Sequence, residues 1–548
     1  MAMTHAARPL PALFADVLMC LALCLGMLGT AHAAIPKELI LQLATGDSDE
    51  KIAAMGQIAA TADPAALPLL QAMDDGRLQV LEEKQQVLLY NEAGEVTDAV
   101  TGAKLDPVPE GAEDITVNNR LRSALEGAMA ALQLTAADTA VRLDAARKIK
   151  SSATPEMLPL IERAMKAEKD PQVGALLRTT QASLQLASDN VSTRIAAVKS
   201  LASSGDSEIK QLLLGLLEKN GETFKEPEAA VRIEAQKAIS DIDGRLKMGE
   251  YAGMAFTGIS LGSILLLAAL GLAITYGLMG VINMAHGELI MIGAYATYLT
   301  QNLVRAWAPG LFELYPLLAV PVSFTAAALV GVAMERIVIR HLYGRPLETL
   351  LATWGISLML IQLVRSLFGA QNVPLENPQW LSGGFQVMSN LILPYNRIAI
   401  IVFAGLVVAG MALILTKTRL GLFVRAVTQN RNMASCVGVA TPRVDTVAFG
   451  LGSGIAGLAG CALSQVGNVG PDLGQSYIID SFMVVVLGGV GQLAGTVYAA
   501  LGLGVINKLF EAQAGAVLAK IAVLVIIIVF IQKRPQGLFA VRGRFVEQ

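Results

Sequence analysis

The chain has 548 residues, 54% hydrophobic and 16% charged, with a mean hydropathy of +0.54. Soluble domains average about 25% charged residues, so a wholly soluble protein is excluded and a large membrane part is required. The net charge of −3 gives no basis for binding nucleic acid. Residues 37–250 are rich in Glu, Asp, Lys and Gln, whereas 253–532 carry long apolar runs. A soluble part and a membrane part are therefore expected, with the seam near Lys247–Tyr251.

Residues 1–33 have the form of a secretory signal. Arg8 lies in a short n-region, an apolar run extends from Leu10 to Gly29, and Ala31-His32-Ala33 is an A-x-A cleavage site. Cleaved or kept as an anchor, it places residue 34 onward outside the cytoplasm. Cys20 and Cys24 fall inside this segment, and Cys436 and Cys461 fall in the membrane part. The exported domain, 34–250, thus carries no disulfide. Neither a metal site nor a cofactor is expected.

Four segments of that domain are alike: "EKIAAMGQI" (50–58), "VRLDAARKI" (141–149), "TRIAAVKSL" (193–201) and "VRIEAQKAI" (231–239). Each has Lys or Arg second, a small or apolar centre, and Ile or Leu last. Helical spacing and helix-pair partners such as 64–73 and 155–165 resemble a HEAT-type α-solenoid, whose unit is roughly 40–47 residues. A generic helical bundle is the alternative. A β insert is expected at 78–105, with "NEAGE" (91–95) as its hairpin turn and "DPVPEGAED" (106–114) as a loop. With no Cys, and no His after His32, the domain has no Ser-His-Asp or Cys-His set and reads as a docking surface.

A crossing helix needs about 20 mostly apolar residues. Candidates are 254–280, 314–335, 347–368, 397–416, 445–467 and 513–532, two shorter runs at 286–304 and 478–491, and a Gly-rich run at 493–509. The fold class is all-α: a polytopic membrane bundle of about eight or nine spans over 251–540, with a short cytoplasmic tail, 541–548. With the first helix running inward, the inner loops hold Arg336, Arg340, Arg345, Lys417, Arg419, Arg425, Arg431, Arg443, Lys533, Arg534, Arg542 and Arg544. The outer loops and span edges hold Arg305, Arg397 and Lys508, a bias that obeys the positive-inside rule. Small residues three or four apart in "GLGSGIAGLAG" (450–460) and "LGGVGQLAG" (487–495) allow close helix packing.

Between Tyr251 and Val304 the one Asp, Glu, Lys or Arg is Glu288, in "INMAHGE" beside Asn283 and His286. Two readings stand. These residues line or shape a substrate pathway at a broken helix, or they form a short loop at the inner surface where Glu288 and His286 are solvated or cap the helix 286–304. Asp480 likewise contacts cargo or caps a helix. The stretch 416–444 has basic residues on a helical apolar pattern of Leu422, Val424, Val427, Met433 and Val437. It reads as an amphipathic helix along the inner surface that binds lipid headgroups or docks a partner. No G-x-x-x-x-G-K-[ST] occurs, so the chain has no phosphate-cradling P-loop.

"GLMGVINMAHGELIMIGAY", "GRPLETLLATWGISLMLIQLVR", "TRLGLFVRAVTQNRNMASCVGV", "FGLGSGIAGLAG", "VVVLGGVGQLAGT" and "QKRPQGLF" closely resemble the permease subunits of ABC importers for branched-chain amino acids and urea. The helical extension ahead of the permease looks like the urea-type B permease. The resemblance implies a heterodimer with a second permease, two cytoplasmic ATPases that carry the hydrolytic activity, and a periplasmic binding protein, in a bacterial inner membrane. It also implies that 419–440 is the region meeting the ATPase, with Arg419, Arg425, Asn430, Arg431 and Gly438 as contacts. The importers' EAA signature survives only as the Ala/Gly pattern of Ala426, Ala434 and Gly438. An ATP-independent channel or secondary transporter and a non-transporting scaffold are the competing classes. Branched-chain amino acids are the competing cargo.

Overall fold

The computed structural model describes residues 35–539 apart from 62, 64, 82–85, 92–94, 106–108, 110, 222 and 281. The signal segment, the centre of the "NEAGE" turn and the tail 541–548 lie outside the described residues. The chain forms two compact units, one ending at Asp243 and one starting at Gly244.

The first unit contains α1 (Lys37–Thr45), α2 (Ser48–Thr61), α3 (Ala66–Asp74), α4 (Asn119–Gln133), α5 (Thr139–Ser152), α6 (Leu158–Ala167), α7 (Pro171–Gln185), α8 (Val191–Leu201) and α9 (Ser207–Leu216). Most of these begin at a side chain that accepts the orphan amides of the first turn: Asn118 for α4, Asp138 for α5, Asp170 for α7, Asn190 for α8 and Asp206 for α9. The recurring arginine does one job three times. Arg142, Arg194 and Arg232 each donate through Nη1 to the carbonyls six and five residues earlier, at 2.6–3.1 Å. Arg142 also grips Glu168, with Nε–Oε2 at 2.8 Å, and Arg194 grips Glu226, with Nε–Oε2 at 3.0 Å. Arg232 instead lies over the Phe224 ring, 4.6 Å from its centroid.

The β insert is an antiparallel sheet of β1 (Leu78–Leu81), β2 (Gln86–Tyr90), β3 (Val96–Asp98) and β4 (Glu113–Asp114), in the order β3-β2-β1-β4. Leu78, Val80 and Val87 join the helical core. The expected loop 106–114 therefore ends in a strand: Asp114 and Glu113 pair with Gln79 and Val80, because the free edge of β1 needs a partner for its amides and carbonyls.

The second unit is the apolar bundle. A single helix, α10 (Ala229–Met279), leads into it. There follow α11 (His286–Trp307), α12 (Tyr315–Ile337), α13 (Pro346–Phe368), α14 (Tyr395–Lys417), α15 (Arg419–Gln429), α16 (Arg431–Cys436), α17 (Thr441–Ser464), α18 (Leu473–Gly488), α19 (Leu493–Ala514) and α20 (Ala516–Lys533). Among the described residues, seven helices are long and apolar enough to cross a membrane: α10, α12, α13, α14, α17, α19 and α20. The two further crossings expected from sequence differ. α11 has 22 residues but carries Gln301, Asn302 and Arg305. α18 has 16 residues, short of the roughly 20 needed for a straight crossing. α17 is the most deeply enclosed of these spans, and its contact with α11 is backbone on backbone. A Cβ added at Gly293 of α11 would collide with the Gly457 carbonyl of α17, and one added at Gly457 would collide with the Ser323 carbonyl of α12, so both positions require glycine.

Candidate functional site

The polar segment 283–288 lies inside the bundle. α10 ends at Met279, and Gly280 turns the chain with φ +65°. His286 Nε2 then meets the Ala268 carbonyl at 2.9 Å. Ala268 is eleven residues before the end of α10, about 16 Å back along that helix. The connecting residues therefore climb back into the bundle before α11 begins. Asn283, His286 and Glu288 are all buried. The expectation of a solvated surface loop is overturned.

The segment is held by local and long-range bonds. Asn283 Oδ1 accepts from Ala285 N at 3.0 Å, Met284 N donates to Thr353 Oγ1 at 3.2 Å, and Ser357 Oγ donates to Glu288 Oε1 at 2.6 Å. Thr353 and Ser357 are one turn apart on α13, so one face of that helix supports both ends of the segment. Glu288 sits in the first turn of α11, where the helix dipole favours a carboxylate. Asn283 Nδ2 and His286 Nδ1 have no hydrogen-bond partner among the described residues. Non-helical backbone in a membrane bundle persists only where protein or a water-filled cavity covers it, and here α10, α13 and α17 cover it.

Asp480 is not at a helix start. α18 begins at Leu473, so Asp480 is in its eighth position, half-buried and 3.9 Å from Lys520 on α20. The capping expectation fails for that reason. Asp480 also has a different set of neighbours from Asn283, His286 and Glu288.

The expected amphipathic helix across 416–444 is two helices. Asn430 leaves helical geometry at φ −155° and ψ 102°, and its side chain accepts from Met433 N at 2.9 Å. It thereby ends α15 and caps α16. Val427 and Ala434 are buried against Val444 and Ala448 of α17, while Leu422, Phe423, Met433 and Val437 are exposed. The apolar pattern thus serves two purposes, one half anchoring the helices and the other forming an uncovered patch. Arg419 and Arg425 are exposed; Arg425 also lines a cavity of about 350 Å³ between α10, α14, α15 and the start of α19. Gly438 has φ +90° and makes the turn towards α17.

Arg431 has a partner within its own chain. Its Nη1 donates to Asp445 Oδ1 at 3.2 Å and its Nη2 pairs with Oδ2, while its side chain stays 40% exposed. Asp445, Thr353 and Ser357 were missed in the sequence. The available signal for Asp445 was a single acid at the head of the uncharged run 446–464.

The family described as branched-chain amino acid transport system / permease component matches residues 254–532, half of the chain. The chain belongs to this family. It is similar to the high-affinity branched-chain amino acid transport system permease protein BraD of Pseudomonas aeruginosa, with 28% identity over 294 residues, 53% of this chain and 95% of that protein. The corresponding permease LivH of Salmonella typhimurium is 29% identical over 292 residues, 52% of this chain and 93% of its own. LivH of Escherichia coli is 29% identical over 298 residues, again 52% and 93%. No solved structure matches. This family member is an integral membrane permease and not an enzyme. Its matched region contains the buried segment 283–288, Asp480 and the whole of α15 and α16. Residues before 254 lie outside the match.

Proposed function

We propose that the chain is the permease subunit of an ATP-driven importer whose cargo is urea. It pairs with a second permease, two cytoplasmic ATPases and a periplasmic binding protein. Residues 34–250, a HEAT-like solenoid, lie in the periplasm, and the end of the bundle bearing α15 and α16 faces the cytoplasm of a bacterial inner membrane. Family membership supports the permease role, and the missing P-loop assigns ATP hydrolysis to other subunits.

One observation carries the cargo assignment. Among the described residues the three buried carboxylates of the bundle, Glu288, Glu335 and Asp445, all have partners within the chain. Glu335 and Asp445 lie against arginines, and Glu288, held by a neutral hydroxyl, is the one such carboxylate without a cation beside it and so the single candidate counter-charge for the ammonium group of a zwitterion. Urea is neutral and needs only donors and acceptors, such as the Asn283 Nδ2, which has no partner among the described residues. The extension of about 250 residues ahead of the matched region also agrees with the urea-type permeases that the sequence resembles. The names of the relatives favour a second reading, branched-chain amino acids. Uptake of labelled urea and labelled leucine by cells expressing all subunits, with and without this chain, separates them. Chain-dependent urea uptake is expected; leucine uptake without urea uptake would establish the second reading.

A further inference from the structure

Two buried acids stand at the end of the bundle that carries α15 and α16. Glu335, in the last turn of α12, and Asp445, in the first two turns of α17, are each 0% exposed. Arg431 of α16 holds Asp445 through both guanidinium Nη atoms. Glu335 Oε2 accepts from Thr446 Oγ1 at 2.7 Å, and its Oε1 accepts from the Tyr343 hydroxyl at 3.1 Å. Arg340 Nε lies 3.7 Å from the same oxygen. The two halves join because Arg431 lies over the Tyr343 ring, 5.1 Å from its centroid, and Thr446 follows Asp445 on α17. One run of polar contacts therefore ties α16 to α17, α12 and the segment between α12 and α13.

Burying charges in a core of Gly, Ala, Leu and Ile is expensive, and packed apolar residues would hold the helices at least as firmly. What a guanidinium fork on a carboxylate adds is a fixed register and angle. In each pair the acid is enclosed, while the arginine side chain is 40% exposed. The pairs are thus partly open at their arginine ends.

We propose that the Arg431–Asp445 pair and the Glu335 cluster form a latch that turns a displacement of α16 into a displacement of α17. Arg431, Asp445 and Glu335 are its positioning residues. α17 continues to the buried segment: its Gly452 packs on Gly271 beside His286, and its Gly460 packs on the Ile290 carbonyl of α11. These contacts contain no long side chain that would absorb the shift. The inference rests on the reading of the chain as an ATP-coupled permease.

The test uses the complete transporter in proteoliposomes, measuring ATP hydrolysis together with uptake of the labelled solute that the wild type carries. ATP-dependent uptake by the wild type tests the underlying reading by itself. Asp445→Asn and Glu335→Gln keep size and an acceptor oxygen. Both should retain the ATPase subunits on purification, while solute moved per ATP falls about tenfold. Arg431→Lys, which keeps the charge, should retain more of that ratio than Arg431→Met. A wild-type ratio in both acid variants, equal losses in the two Arg431 variants, or loss of ATPase binding in both acid variants would each overturn the latch. If Asp445→Asn does not assemble, Glu335→Gln decides, and failure of both to assemble makes the cluster a folding element only.

Discussion

Ser357 and Glu288 show how one side chain sets the state of a buried site. Ser357→Ala removes the donor at 2.6 Å from a buried carboxylate. The expected loss is about 2 kcal/mol of stability, read as a lower melting temperature of the purified transporter. Asn283→Ala removes an amide whose Nδ2 has no partner among the described residues. Its effect should therefore fall on transport, as a raised apparent KM at normal expression; an unchanged KM would make Asn283 a turn residue alone. A second residue-scale prediction concerns acid. The Arg142 guanidinium bonded to Glu168 holds that carboxyl down to about 2, with help from the Lys169 and Asp170 amides and against its burial. The folded value lies below the unfolded one, so the contribution is fully present above about pH 4.5 and is lost as pH falls towards 2. Hydrogen exchange across α5–α7 should accelerate over that window, and Glu168→Gln should flatten the dependence. In the sequence, "INMAHGE" could be identified as polar within an apolar run. Its depth could not, because depth is set by which carbonyl of α10 His286 meets and by Thr353 and Ser357 on α13.

At the level of elements, the long apolar runs and the repeated arginine were readable because both rest on local periodicity. The repeat has a physical reason: each arginine closes the turn before its own helix. Two of the three also clamp an acid further along, Glu168 and Glu226. Arg194→Ala would leave Glu226 buried without its counter-charge, at a cost of about 3 kcal/mol, measurable as an earlier thermal transition. The break in the expected amphipathic helix was less readable, since "TQNRN" continues a helical pattern and only the capping geometry of Asn430 shows the stop. Asn430→Ala should cost about 1 kcal/mol locally, seen as faster hydrogen exchange in α16. The pairing of Arg431 with Asp445 was invisible for another reason. Fourteen residues and a turn at Gly438 separate them, and a basic residue in a basic loop gives no sign that it faces inward. Close helix approach, by contrast, follows from the small-residue spacing alone. Gly293→Val should therefore destabilise the bundle by at least about 2 kcal/mol through overpacking.

For the whole molecule the decisive quantity is orientation, which charge predicts. The loops at the end formed by α15, α16 and the C-terminus of α20 hold most of the Lys and Arg of the bundle, and the opposite loops hold few. Positively charged loops are retained on the cytoplasmic side during insertion. The signal-like segment 1–33 makes an independent demand, because it would export the domain from residue 34 onward. On the proposed topology α10, the first helix of the bundle, runs inward, and α15 and α16 face the ATPases. A reporter active only outside the cytoplasm, inserted after Gly221, should therefore be active, and the same reporter after Asn430 should be silent. Both sites are exposed and each stands at the edge of an element: Gly221 is at φ +68° in the turn between the two-residue strands Lys219–Asn220 and Thr223–Phe224, and Asn430 is between α15 and α16. Insertion there should leave the fold intact. Activity after Asn430 would place the α15–α16 patch on the wrong side for an ATP-binding partner, and both the importer reading and the latch would fall with it. Silence after Gly221, with the chain present in the membrane, would remove the periplasmic assignment of the first unit while leaving membership of the permease family untouched.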